Sequence, residues 1–257
     1  MSEKIWNTYL MEVNGLTQEV RFSADAVENI FKPFLKKLAA LHEKLNRKIV
    51  AYIAASPGVG KTTLTLFLEK LSREDKNFYP IRALGMDGFH YDSEYLKTHE
   101  IELNGEKILL NNIKGAPETF DVDSLQNKLS EVRGNGTRWN IYDRKIHDVI
   151  HDSLNVDDEI ILLEGNYLLL KDSRWKNIRE FADYKIFITA DPEILRERLI
   201  NRKVLGGIKR EDAEKFYYAS DSKNVERVLK NSVEPDETWQ MLADSDYIKI
   251  AGKNYSA

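Results

Sequence analysis

The chain has 257 residues, with 38 Lys and Arg against 42 Asp and Glu, a formal charge of −4 at neutral pH. Hydrophobic residues make up 42% and charged ones 31%, with 13 Gly, 6 Pro and no Cys, which excludes a disordered, collagen-like or disulfide-framed chain and any thiolate chemistry. The mild acidity argues against a nucleic-acid partner, no apolar run is long enough for a membrane span, and residues 1–15 lack a signal-peptide pattern, so a cytoplasmic protein is expected.

Residues 9–22 alternate apolar and polar side chains about Asn14-Gly15, a dipeptide suited to two positive-φ turn positions, and so predict a β-hairpin. Ser23 then caps a helix running to about Asn46. Its Val27, Ile30, Phe31, Phe34, Leu35, Leu38 and Leu41 recur at helical spacing, and Pro33 inside the pattern predicts a kink or a late start. This hairpin and helix, residues 1–46, are expected to stand outside the core of the fold, covering a sheet edge or making a homodimer contact. From residue 47 onward short β-rich runs alternate with helical ones. Strands are predicted over 49–54, 78–84, 159–163, 184–189 and 247–250, and helices over 62–71 and 192–202. That alternation implies one α/β domain over 47–257, a parallel sheet with helices on both faces.

Between the first of these strands and its helix lies Ala55-Ser56-Pro57-Gly58-Val59-Gly60-Lys61-Thr62, an A-x-x-x-x-G-K-T string. Small residues let successive N–H groups converge on phosphate, a Lys reaches the β- and γ-oxygens, and a hydroxyl suits Mg²⁺. With a strand before it and a helix after it, the string is in the setting a phosphate loop requires. Ser56, Pro57, Gly58, Val59, Gly60, Lys61, Thr62 and Thr63 are therefore expected to hold ATP. Guanine is not the base: Asn127-Lys128-Leu129-Ser130 lacks the Asp of a guanine-reading Asn-Lys-x-Asp. The apolar run 160–163 ends in a single acid, Glu164, placed to share Mg²⁺ with Thr62. Asp87 follows a strand's carboxyl end, where it can accept a proton from a hydroxyl attacking the γ-phosphate. Asp191-Pro192 opens a helix carrying Arg196, Arg198 and Arg202, followed by Gly206-Gly207, Lys209 and Arg210. Such a basic segment, about residues 198–215, can close over a nucleotide as a lid.

Taken together, the phosphate loop, Asp87-Gly88-Phe89-His90, Phe120-Asp121, Tyr142-Asp143-Arg144-Lys145-Ile146-His147 and Glu164-Gly165 resemble the phosphoribulokinase/uridine kinase superfamily, which includes type I pantothenate kinases. The stretch Lys114-Gly115-Ala116-Pro117-Glu118-Thr119-Phe120-Asp121 is closer still to bacterial kinase-like proteins labelled nucleoside or fructose-transport kinases. The resemblance implies a five-stranded parallel sheet of the P-loop nucleoside-kinase type. It makes Asp87 the general base, Arg198 and Arg202 the lid arginines, and Asp121, Tyr142 and His147 part of an acceptor pocket. Arg144 departs from the aromatic residue of a uridine kinase and favours an acceptor bearing carboxylate or phosphate. Asp121 is equally well placed as a helix N-cap. His90, Tyr91 and Tyr167 are pocket candidates or packed aromatics. His147 and His151 have metal-ligand spacing but no third ligand in register, so no zinc is expected.

The function these readings imply is a kinase using ATP and Mg²⁺. It would transfer the γ-phosphate to a hydroxyl of a small molecule: a sugar, sugar phosphate, nucleoside or pantothenate-like compound. The competing reading is a regulatory ATP-binding module acting on a protein partner, which would have no use for an acceptor pocket.

Overall fold

The computed structural model describes residues 4–13, 16–103 and 105–250, so the Asn14-Gly15 turn lies outside the described residues. Strands β1 (Trp6–Val13) and β2 (Leu16–Ser23) pair antiparallel, Trp6 opposite Ser23. Ser23 caps α1 (Ala24–Ala26), its Oγ accepting from the Ala26 N–H. The helix does not break at Pro33. It widens into a π turn over Val27–Phe31, where the Lys32 N–H reaches the Val27 carbonyl, and runs on as α2 (Lys32–Leu45). Proline has no N–H for the helical ladder, and the wider turn just before it accommodates the missing bond.

The chain then alternates as expected: β3 (Ile49–Ala55), α3 (Lys61–Glu74), β4 (Ile81–Gly85), and, after a 3₁₀ turn over Met86–Phe89, α4 (Ser93–Thr98). Two small hairpins flank the next helix: β5 (Glu100–Leu103) with β6 (Glu106–Leu109), then α5 (Val122–Glu131), then β7 (Thr137–Asp143) with β8 (Asp148–Val156). The rest comprises β9 (Ile160–Gly165), α6 (Lys176–Glu180), β10 (Tyr184–Ala190), α7 (Pro192–Leu205), α8 (Arg210–Phe216), α9 (Ser222–Asn231), β11 (Glu237–Met241) and β12 (Tyr247–Ile250). Among the described residues no helix is long and apolar enough to cross a membrane.

The main sheet has six strands in the order β12-β11-β10-β3-β9-β4. β11, β10, β3, β9 and β4 run parallel, giving the expected five-stranded parallel sheet, but the strand expected at 247–250 is not one of them: it is β12, antiparallel to β11, a sixth strand at one edge. Every residue of β3 is buried, with Ile49, Ala51, Ile53 and Ala55 in one apolar cluster and Val50, Tyr52 and Ala54 in the other. That is the period-two pattern of a strand covered on both faces. Leu125 and Leu129 of α5, Ile178 of α6 and Trp139 of β7 cover the second face.

The expectation that residues 1–46 stand outside the core is corrected here. Met11, Phe22, Phe31, Phe34 and Leu38 lie in the same buried cluster as Ile53, Phe67 of α3, Trp239 and Tyr247. Phe22 stacks on Phe67 with ring centres 4.1 Å apart, and Phe34 meets Trp239 edge-on at 5.4 Å. A two-stranded hairpin cannot bury an apolar face alone, and this one uses the sheet and α3 to do so. Strand order reverses around β3, which lies between β9 and β10, and the carboxyl ends of β3, β4 and β9 frame the crevice in which α/β folds bind ligands.

Candidate active site

The loop from Ser56 to Gly60 joins β3 to α3 through two left-handed glycines, Gly58 at φ +88° and Gly60 at φ +90°. A side chain at either would be strained, and neighbours stand close as well: Leu199 Cγ lies 3.1 Å from where a Cβ on Gly58 would be. Ser56 and Val59 are buried beneath the loop, while Pro57, Lys61, Thr62 and Thr63 are half-buried along it and at the first turn of α3. The helix N-terminus therefore points its N–H groups and dipole into the crevice.

At the floor of the crevice, Glu164 from the end of β9 accepts a hydrogen bond at Oε1 from Thr62 Oγ1 (2.7 Å). Its Oε2 lies 3.9 Å from Lys61 Nζ and, though buried, receives no hydrogen bond. Burial pushes the Glu164 carboxyl above its ordinary pKa; Lys61 opposes this, Asp87 adds to it, and Thr62 and Arg144 oppose it again. Asp87 is half-buried on the turn after β4, and Arg144 Nη2 stands 4.0 Å from its Oδ2. Lys61 and Thr62 from the start of α3, Glu164 from the end of β9, Asp87 from the turn after β4 and Arg144 from the β7–β8 hairpin thus come from four elements to one place.

A cavity of about 200 Å³ opens beside them. Thr62, Asp87, Glu164, Tyr142 and Arg144 line its polar end, and Leu66, Ala83, Trp139, Ile141 and Leu154 its apolar wall. The β7–β8 hairpin supplies much of that wall and is seated directly on the Asp87 turn. Trp139 Nε1 donates to the Gly85 carbonyl (2.9 Å), and the Asn140 carbonyl presses so closely on Gly88 that a Cβ there would lie 2.1 Å from its oxygen.

Other expected pocket residues lie outside this lining. Tyr167 is not a pocket residue but a core aromatic, fully buried, with its hydroxyl donating to the Gly115 carbonyl (2.5 Å). Asp121 caps α5, its Oδ1 accepting from the Ser124 N–H (3.0 Å). Tyr91 stacks on Tyr95 at 4.4 Å and takes a hydrogen bond from Arg174 (3.0 Å). His90 stacks on Phe120 at 3.8 Å and meets Tyr142 edge-on at 5.7 Å, one layer behind the cavity. Burial holds its imidazole below the usual pKa, with Asp87 pulling the other way. His147 has an exposed ring and φ +56°, and it is its carbonyl that matters locally, accepting from Lys114 Nζ and Ser93 Oγ, both at 3.1 Å. His151 pairs with Asp92 at 3.1 Å, and no cluster of three His, Cys, Asp or Glu that could hold a metal occurs among the described residues.

Lys114 went unassigned in the sequence, yet it ties the tip of the β7–β8 hairpin in place and lies 5.2 Å from the Tyr142 ring centre. The two arginines expected in the lid differ from each other. Arg198 donates from Nε to the Gly58 carbonyl and from Nη1 to Ser245 Oγ, each at 2.7 Å, so it holds the phosphate loop. Arg202, one turn on, is exposed as a residue, yet burial around its guanidinium and then the nearby Arg144 hold its pKa below the ordinary value, with Asp221 and Asp87 opposing. Arg196 and Arg210 are both paired with Glu197, at 3.3 and 2.8 Å.

The model of the phosphoribulokinase/uridine kinase family matches residues 49–217 of this chain. YggC of Escherichia coli strain K12, described as an uncharacterized protein, is 42% identical over 238 residues, which is 92% of this chain and 97% of its own. A Schizosaccharomyces pombe protein named "Putative uridine kinase C227.14" is 30% identical over 206 residues, 77% of this chain and 86% of its own. Among solved structures, a Silicibacter sp. TM1040 protein titled "putative fructose transport system kinase" has a TM-score of 0.66 and 26% identity, covering 79% of this chain and 98% of that one.

Proposed function

This chain belongs to the phosphoribulokinase/uridine kinase family and is a small-molecule P-loop kinase; within that family we propose that it transfers the γ-phosphate of ATP to the hydroxyl of a small acceptor carrying a carboxylate or phosphate. One observation carries the reading: Thr62, Glu164, Asp87 and Arg144 converge at the polar end of a single cavity, with Lys61 Nζ 3.9 Å from the Glu164 carboxylate.

The loop residues Ser56 to Thr63, all but Pro57 carrying a backbone N–H, bind the phosphates through those groups, and Lys61 neutralises the β- and γ-oxygens. Asp87 takes the proton of the acceptor hydroxyl, or orients that hydroxyl, in an in-line attack. Arg202 offers a guanidinium to the transferring phosphoryl group. Arg144 clamps the acceptor's anionic group, and the apolar wall from Leu66 to Leu154 excludes water from the far side. His90 backs this pocket through its edge-on contact with Tyr142, and the His147 carbonyl anchors the hairpin tip through Lys114 and Ser93.

The donor set suits Mg²⁺: Thr62 brings a hydroxyl, and Glu164 a buried carboxylate oxygen that receives no hydrogen bond. These two would hold the ion, directly or through water, with phosphate oxygens and water completing the shell. When bound, it supplies charge neutralisation of the β- and γ-phosphates.

The test is ADP release with Mg²⁺ and ATP across fructose, other sugars, sugar phosphates, nucleosides, pantothenate and glycerate. An anionic acceptor should stimulate turnover above the background without acceptor. Asp87→Asn should keep nucleotide affinity and lose roughly 10²–10⁴-fold in turnover. Turnover near wild type in Asp87→Asn would remove Asp87 from the chemistry, and preferential stimulation by a neutral nucleoside would remove Arg144 from acceptor selection.

A further inference from the structure

Arg198 ends in a chain of contacts that begins at the other end of the molecule. Its Nε holds the Gly58 carbonyl and its Nη1 holds Ser245 Oγ, both at 2.7 Å. Nη2 of the same guanidinium lies 3.2 Å from where a Cβ on Gly60 would be, so the group spans both left-handed glycines of the loop. Ser245 sits in the β11–β12 turn at φ +69°, a conformation an L-residue with a free choice avoids. Turn bonds fix it there: Ser245 N–H donates to the Leu242 carbonyl (2.9 Å) and Leu242 N–H to the Asp246 carbonyl (2.8 Å).

The residues on either side of Ser245 are held by the N-terminal hairpin. Ser23 Oγ donates to Asp246 Oδ1 at 2.7 Å in a buried bond, while Lys4 Nζ donates to Asp244 Oδ2 at 2.6 Å and lies 3.0 Å from Asp246 Oδ2. Tyr247, the next residue, is buried among Phe22 and Phe31, 6.3 and 5.7 Å between ring centres. The hairpin therefore reaches the phosphate loop by two routes. One is apolar, Phe22 on Phe67 of α3; the other is polar, through Asp246, Ser245 and Arg198 to Gly58.

We propose that Ser245 is a positioning residue that sets Arg198 against the Gly58 carbonyl, and that the N-terminal hairpin braces the nucleotide loop through it. This rests on the reading of that loop as the nucleotide site. A guanidinium with one partner can swing toward solvent; one held at both Nε and Nη1 has its plane fixed, and fixes the loop carbonyl in turn. The loop then offers its N–H groups to phosphate without first having to order itself.

The experiment uses the full chain, with MgADP affinity measured by calorimetry and thermal melts run alongside. Ser245→Gly removes the hydroxyl but suits the positive φ, so the fold is kept. It should weaken MgADP roughly tenfold with no fall in melting temperature. Ser245→Asn tolerates the same φ and returns an acceptor to Arg198, and should recover most of that affinity. Wild-type affinity in Ser245→Gly would overturn the positioning role, as would weakening that Asn does not relieve. A wild-type protein with no affinity for MgADP would instead overturn the nucleotide site itself, and the brace with it.

Discussion

A methyl group at position 88 would meet the Asn140 carbonyl oxygen at 2.1 Å, and nothing there can yield without moving β7 or the Asp87 turn. Gly88→Ala should therefore destabilise the protein by about 2 kcal/mol and cost more turnover than nucleotide affinity, since the displaced turn carries Asp87 and not the phosphate loop. A melting temperature and kcat both equal to wild type would show that Asp87 does not need this seat. The sequence displays Asp87-Gly88 and makes Asp87 a candidate base from local context alone. Its reason for glycine is invisible there, because Asn140 lies on a hairpin brought over by the fold. Asp121 and Tyr167 show the converse. Both carry suitable chemistry in a suitable motif, and only packing reveals that one caps a helix and the other fills the core.

Elements were legible where their signal was local. Runs buried on both faces, such as β3 and β9, declare themselves by unbroken hydrophobicity, and the glycine loop declares itself by the helix that follows. β11 escaped because ETWQM is short, with only Trp239 and Met241 obvious in it, and its burial depends on partners far off in the sequence. One of those partners is α2, whose Lys37 pairs with Glu237 at the start of β11. Burial works against the Glu237 carboxylate, but hydrogen bonds from Lys37, Tyr184, Lys249 and Trp239 outweigh it and hold the pKa at about 2. The group's folded pKa lies below its unfolded value, so its stabilisation is present above that unfolded value, about 4.5, and is lost as pH falls toward 2. Glu237→Gln should lower stability at pH 7 by an amount on the order of 2 kcal/mol and flatten the decline between about pH 5 and 2. Urea midpoints across that range would check it, and an unchanged acid limb would rule Glu237 out as its source.

For the molecule as a whole, the expected division at residue 46 separates two segments of chain but not two cores. Deleting residues 1–46 would expose Phe67, Trp239 and Tyr247, which now pack against Phe22, Phe31 and Phe34, and each large side chain returned to water costs roughly 2 kcal/mol. The truncated chain should fail to show a cooperative thermal transition by circular dichroism. A sharp transition close to that of the full chain would restore the view of this segment as an attachment. Nothing in the composition of residues 1–46 could have told the two apart, because an apolar helical face looks the same whether it meets this sheet or a second copy of the chain.

The bonds from Lys4 to Asp244 and from Ser23 to Asp246 join residues 240 and 223 positions apart. During synthesis the hairpin is made well before its polar partners, by the same separations. A nascent chain can thread β3, α3 and the phosphate loop long before the β11–β12 turn exists, so the loop is born with its carbonyl at Gly58 unclasped. Arg198 gains its second anchor only when residue 245 has left the ribosome, and such distant pairings are the slow ones to form. The clasp on the Gly58 carbonyl is thus complete only once the β11–β12 turn has been made and folded back, which ties the final geometry of this loop to a segment far downstream of it.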